Sequence, residues 1–335
     1  MKDSIIISDK PEFENIITLI NEARQKSFQA VNTILIDLYW EIGSIISDKV
    51  KQAEWGHGIV DQLAAHIARN HAGLRGFTRP NLFRMRQFYE TYQGNGKVSA
   101  LLRQLSWTHN LIIFSQSKQE EEREFYLRMT IQEKWSTREL ERQFKSSLFE
   151  RVALHPIKAS PVLSQTHPDI QQVFKDSYIV EFLELPEGHA EKDLHKGLIN
   201  QLKKFLIELG RDFCFAGSEF PVQVGKRDFA IDLLFFHRGL NCLVAIELKV
   251  GRFEPEYLGK LEFYLEAFDR DVRKPHENPA IGLLFCAGKD DEVVEYALSR
   301  SLSPALVAEY QTQLPDKKLL QAKLHEFYQQ NSKND

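Results

Sequence analysis

Two apolar runs joined by a short turn, with charges embedded in both, constrain this chain more than anything else in it. The segment reads Phe229-Ala230-Ile231-Asp232-Leu233-Leu234-Phe235-Phe236, then His237-Arg238-Gly239-Leu240-Asn241, then Cys242-Leu243-Val244-Ala245-Ile246-Glu247-Leu248-Lys249-Val250. Apolar, β-rich runs on either side of a Gly-containing turn predict an antiparallel hairpin. Asp232, Glu247 and Lys249 lie inside the runs, where a charge is costly unless it is paired or holds a metal ion. A residue type that defies the local pattern marks a site where function is expected.

A turn centred between Gly239 and Leu240 places Asp232 directly across from Glu247. Directly opposed residues on antiparallel strands have Cβ atoms about 5 Å apart, and like charges there repel. A hard divalent cation between the two carboxylates removes that repulsion and takes oxygen ligands. Glu247 and Lys249 are two apart and therefore share a face. Two carboxylates and an amine on one face suit metal-assisted phosphodiester hydrolysis. The cation polarises the phosphate and acidifies a water, and the lysine orients that water or stabilises the developing charge.

This arrangement resembles the PD-(D/E)xK nuclease superfamily, with Asp232 as the first acid and Glu247-x-Lys249 as the second element. Ile231 stands where the superfamily name has Pro. The longer stretch from Gly225 to Lys249 resembles the C-terminal nuclease domain of the YhcG family of bacterial proteins. The resemblance implies Asp232, Glu247 and Lys249 as catalytic residues, Asp232 and Glu247 as metal ligands, and Mg²⁺ as cofactor with Mn²⁺ as the alternative ion.

Residues Pro255 to Phe268 read as a helix, with Tyr257, Leu261, Tyr264, Leu265 and Phe268 at helical spacing. Lys260 and Tyr264 share a face. Some superfamily members carry Gln-x-x-x-Tyr here, so the resemblance offers Lys260 as a phosphate contact in place of Gln, against a solvated helix residue. Tyr264 reads as core. A third acidic ligand in such nucleases often comes from a preceding helix. Here Glu191 opens an amphipathic helix that ends at Gly210, and His195 stands where the pattern has Glu. Glu191 is the candidate third metal ligand. Its alternative role is an acid complementing the helix dipole. Glu219 is a weaker candidate.

Composition fits an intracellular enzyme. At 335 residues the chain can form two domains with separate cores. No apolar run approaches the ~18 residues of a membrane span, and no secretion signal opens the chain. Cys214, Cys242 and Cys286 are far apart and odd in number, which predicts free thiols in a reducing cytoplasm. No Cys or His spacing suggests zinc. No organic cofactor and no membrane partner are expected.

The net charge is −4, so any nucleic-acid binding must come from charge distribution rather than charge sum. From Gln62 through Tyr89, Asp and Glu are absent, while Arg69, Arg75, Arg79, Arg84 and Arg86 are present. That stretch is the candidate phosphate-contacting face.

Residues 11–150 read as all-helical, 151–168 as a Pro- and Ser-punctuated linker, and 169–330 as the nuclease domain. In the first domain, helices are predicted at Ala30–Val50 and Gly58–Asn70. Thr78 can cap a third, with Pro80 in its first turn. Helix, turn, helix gives either a helix-turn-helix, with Arg79, Asn81, Arg84 and Arg86 presented to DNA, or a helical bundle with a basic surface. Trp107 reads as a core anchor and Ser136-x-x-Glu139 as a capping box. The segments at Leu38–Gly43, Arg79–Tyr89, Leu105–His109 and Trp135–Leu140 resemble the N-terminal domain that accompanies YhcG-type nucleases.

The fold expected is therefore an all-helical domain followed by a restriction-endonuclease-like mixed-sheet α/β domain. The function expected is a Mg²⁺-dependent DNA endonuclease whose helical domain binds DNA. A homodimer is compatible with it, since cutting both strands takes two sites or two events. The alternative is a non-catalytic DNA-binding or protein-interaction subunit that retains the fold.

Overall fold

The computed structural model describes residues 11–52, 58–71 and 73–331. The chain divides into two compact units, Met1–Glu141 and Arg142–Asp335.

The described residues of the first unit form helices and no strand. These are α1 (Pro11–Lys51), α2 (Ile59–Asn70), α3 (Arg79–Tyr92), α4 (Ser99–Leu102), α5 (Trp107–Gln116) and α6 (Glu120–Glu133), with α7 (Thr137–Lys145) crossing the unit boundary. α3 forms where predicted. Thr78 is extended, Pro80 occupies the first turn, and Leu82, Met85, Phe88 and Tyr92 are buried at helical spacing. The Thr78 side chain makes no capping bond. α1 and α3 cross at Gly43, where a Cβ would run into the Met85 carbonyl. Ile46, Val60, Leu82 and Met85 form a small core, with Tyr39 and Trp107 packed against it. Trp107 anchors it twice, through its ring 5.2 Å from Phe88 and through Nε1, which donates to Asn81 Oδ1 at 3.0 Å. Ser136 Oγ accepts from the Glu139 backbone N–H at 3.2 Å, a bond that the expected capping box includes.

α1 begins at Pro11 rather than near Ala30. Its early turns carry apolar residues that meet no core, so the amphipathic signal that marks a packed helix is missing there.

The second unit contains α8 (Leu148–Leu154), β1 (Lys158–Ala159), α9 (Pro161–Thr166), α10 (Ile170–Val173), β2 (Ser177–Ile179), α11 (Glu191–Asn200), α12 (Leu202–Leu209), β3 (Phe213–Val224), β4 (Arg227–His237), β5 (Cys242–Arg252), α13 (Glu256–Ala267), β6 (Asn278–Gly288), α14 (Asp291–Leu298), β7 (Ala305–Gln311) and α15 (Lys317–Asn331). Seven strands make one mixed sheet in the order β1-β7-β6-β5-β4-β3, with β2 also on β7. β3, β4 and β5 are antiparallel neighbours, whereas β5, β6 and β7 run parallel. One face packs on Leu194, Leu198 and Phe205 of α11 and α12. The other packs on Leu261 and Leu265 of α13 and on Val294 and Leu298 of α14. Helices thus cover both faces, as a partly parallel sheet requires.

Residues 151–168 form no connector. Ile157 and Leu163 are buried in the second unit, and β1 pairs with β7. The Pro and Ser residues that read as loop punctuation instead open a helix. Ser160 caps α9 with Pro161 next to it, and its hydroxyl also donates to the Ser303 carbonyl at 2.7 Å. The unit boundary falls earlier because Arg142 is tied inward. Its guanidinium donates to Glu208 at 2.8 Å, to Glu181 at 2.9 Å and to the Ile179 carbonyl at 2.9 Å. The single helix expected from Glu191 to Gly210 breaks at Gln201 into α11 and α12.

Candidate active site

The β4–β5 hairpin has the predicted register. His237 pairs with Cys242 and the ladder runs to Leu233 opposite Ile246. Asp232 and Glu247 are the next residues outward, and there the strands part. Asp232 turns its carboxylate to the opposite strand and accepts the Leu248 backbone N–H on Oδ2 at 2.7 Å.

The backbone is reshaped at this point. Leu233 and Phe235 face the α11–α12 layer, but Ile231 faces the α13 layer, so the alternation of β4 is broken at Asp232. On β3 the paired residues skip Glu219, which has φ +46°. An irregularity of this kind re-aims one side chain. Glu219 is exposed and lies at the bend.

Glu247 is fully buried. Its Oε1 accepts from Lys249 Nζ at 2.9 Å and from Lys260 Nζ at 2.6 Å. Its Oε2 is buried with no hydrogen-bond partner among the described residues. Lys249 also donates to the Leu248 carbonyl at 2.7 Å and lies 3.3 Å from both oxygens of Glu191. Its ammonium stands 5.6 Å from the Tyr257 ring. Burial pushes the Asp232 carboxyl above its ordinary range, and the Glu247 charge pushes it further. Burial opposes the charged form of Lys249 and Lys260, but the hydrogen bond and charge of Glu247 outweigh it and raise both ammonium pKa values.

Asp232, Glu247, Lys249, Lys260 and Glu191 are therefore brought together, but not all in the expected roles. Glu191 pairs with Lys249 at 3.3 Å. Among the described residues no group of three His, Cys, Asp or Glu side chains could enclose an ion. Lys260, offered as a phosphate contact, lies on the buried carboxylate instead. The remaining donors fit a divalent cation. Glu247 presents an orphaned buried oxygen, and two carboxylates, one of them hard to ionise, ask for positive charge between them.

Two supports were not foreseen from the sequence. The Tyr264 hydroxyl donates to the Ala230 carbonyl at 2.6 Å, which fastens α13 to the strand that carries Asp232. His195 Nε2 lies 3.2 Å from the Asp232 carbonyl. Its position in the helix was informative, but backbone contacts leave no sequence signal.

The arginines nominated for DNA divide. Arg79 pairs with Asp61 and stacks over Phe83, and Arg86 donates to Glu90 at 2.8 Å. Asn81 is spent on Trp107 and on the Gly76 carbonyl. Arg84 is exposed and makes no ion pair with the described residues.

The geometry agrees with comparisons to known proteins. The family model described as YhcG PDDEXK nuclease domain matches residues 171–325, and that described as DUF1016 N-terminal domain matches residues 15–151. The chain is 32% identical over 343 residues to a protein of Escherichia coli (strain K12) named "Putative nuclease YhcG", covering 92% of this chain and 91% of that one. The chain belongs to the YhcG family. A PDDEXK nuclease domain follows a helical N-terminal region. Two solved structures also match, over 39% of this chain and about half of each of their own lengths. They are a repair endonuclease from Pyrococcus abyssi (11% identity, TM-score 0.26; 50% of that chain) and EndoMS in its apo form (15% identity, TM-score 0.24; 49% of that chain). Among the described residues no helix is long and apolar enough to cross a membrane.

Proposed function

We propose that this YhcG-family nuclease is a Mg²⁺-dependent DNA endonuclease, with Mn²⁺ as an alternative ion. The observation that carries the reading is the fully buried Glu247, which shares a site with Asp232 and keeps one oxygen unpartnered. Asp232 and Glu247 would hold the cation, whose charge draws electrons from the scissile phosphate and makes a nearby water more acidic. Lys249, fixed by Glu247 and Glu191, is the group that orients the attacking water or stabilises charge on the phosphate in the transition state. Lys260 is half-exposed at the mouth of the site and can leave Glu247 for a phosphate oxygen. The first unit, with exposed Arg69, Arg75 and Arg84, would hold the DNA. Three free cysteines, two of them buried, support a reducing cytoplasm.

The test is cleavage of linear, nicked, branched and single-stranded DNA with Mg²⁺ or Mn²⁺ by the native chain and by Asp232→Ala and Lys249→Ala. Metal-dependent cutting lost in both variants is expected. Binding without cutting, unchanged by either substitution, would overturn the catalytic reading in favour of a DNA-binding subunit.

A further inference from the structure

Asp232 sits at a break in the sheet. The paired residues skip it on the β3 side and stop short of it on the β5 side. Its carbonyl takes a bond from outside the sheet, from α11. His195 Nε2 lies 3.2 Å from that oxygen. A carbonyl oxygen only accepts, so Nε2 carries the proton of this bond. An ionised acid at 195 could not make it. His195 and Glu191 are one turn apart and share a side of α11. Leu194 and Leu198 bury the neighbouring side of the helix against the sheet. Glu191 reaches Lys249 on β5 at 3.3 Å. One side of α11 thus holds both strands where they part, β4 through the His195 bond and β5 through the Lys249 pair.

We propose that His195 is a positioning residue for Asp232. Its Nε2–H bond fixes the Asp232 peptide, and through it the carboxylate that is to hold a cation with Glu247. The inference rests on the reading of Asp232 and Glu247 as the residues that hold the ion. β4 changes face here, since Ile231 and Leu233 pack on opposite layers, so the strand ladder alone does not set how Asp232 is turned. In a strand the carbonyl and the side chain are aimed by the same two backbone angles, so a bond that pins one restrains the other. The far end of the residue is fixed as well, because Oδ2 accepts the Leu248 N–H at 2.7 Å. Oδ1 makes no hydrogen bond with the described residues and is the oxygen left for a cation. A group that holds a ligand residue from behind is worth about 10- to 100-fold in metal affinity. His195 therefore acts on the cation through Asp232, without touching the reacting atoms.

The experiment uses the full chain, native, His195→Gln and His195→Leu. Gln keeps an N–H donor, and Leu keeps bulk without one. Histidine-selective nitrogen NMR reads which ring nitrogen carries the proton, and the signals missing from His195→Gln assign this ring among the eleven histidines. Mn²⁺ binding without DNA is read by electron paramagnetic resonance. A protonated Nε2 is expected at neutral pH. Mn²⁺ affinity is expected to fall about tenfold in His195→Leu and to stay within about twofold of native in His195→Gln. The Mg²⁺ concentration for half-maximal cutting should rise in step in His195→Leu, with DNA affinity in EDTA unchanged. A bare Nε2 would overturn the proposal. So would Mn²⁺ affinity that His195→Leu leaves intact, or that both variants lower equally. Should His195→Leu fail to fold, the protonated nitrogen and the affinity of His195→Gln still decide the matter. A native chain that binds Mn²⁺ but cuts no DNA would count against the nuclease reading and leave His195 its role. A native chain that binds no Mn²⁺ would remove the cation reading and this proposal together.

Discussion

Asp232 and Glu247 repel each other as like charges, and the cost of that arrangement is readable. The Asp232 carboxyl is raised by burial and then by the Glu247 charge. A carboxyl whose folded pKa is raised costs stability when ionised. The cost is complete above the raised value and vanishes once the pH lies below both it and the unfolded value near 3.8. Asp232→Asn keeps an acceptor for the Leu248 N–H and removes the charge. We therefore expect it to stabilise the metal-free protein at pH 7 by about 1 kcal/mol, the scale of a like-charge cross-strand pair. The gain should shrink as the pH falls through the raised value, while cutting is lost. Urea melts at several pH values without metal would show it, and a variant less stable than the native chain at pH 7 would refute it. The charges inside apolar strands and the symmetric turn made this pair legible in the sequence, because period-two alternation fixes both register and face. The pairing of Glu191 with Lys249 was not legible, because it depends on how a helix end settles over a strand end.

At the scale of elements, α13 sets the distance between Lys260 and Glu247, and a glycine sets α13. A Cβ at Gly282 of β6 would stand 2.7 Å from Leu261 Cγ, and Leu261 is fully buried with no room to retreat. Gly282→Ala should therefore push α13 off the sheet and destabilise the protein by about 1–3 kcal/mol. Lys260 would be drawn away from Glu247. Adding Leu261→Ala should cost less than the two single changes together, since each relieves the other. Denaturant melts of the three variants test this, and strictly additive losses would mean that the helix does not bear on Gly282. Most helices of both units and the central strands of the second were visible in spacing and caps. The region at 151–168 was not, because Pro and Ser before a short helix read the same as Pro and Ser in a loop. Only the tertiary contacts of Ile157 and Leu163 separate the two.

For the whole molecule the question is how a chain of net charge −4 holds a polyanion. The acid-free run in the sequence pointed to arginines, but it could not say which of them are already occupied. Arg79 and Arg86 pair with Asp61 and Glu90, carboxylates outside that run which the helices bring back to it. Arg69, Arg75 and Arg84 are exposed and make no ion pair with the described residues. Each phosphate neutralised contributes a slope of about −0.9 to the dependence of log affinity on log salt for duplex DNA. Arg69→Ala/Arg75→Ala/Arg84→Ala should therefore flatten that slope by about two to three for a labelled duplex bound in EDTA, with unfolding barely changed. Arg86→Ala should do the reverse. It removes a partner from Glu90, whose carboxyl burial raises but which the hydrogen bonds of Arg86 and Ser47 hold below its ordinary range. It should lower the melting temperature and leave the slope alone. Salt titrations of the native chain and both variants decide between the two sets. A slope reduced by Arg86→Ala and untouched by the triple change would place the phosphate contacts on the paired arginines and require those ion pairs to open on binding.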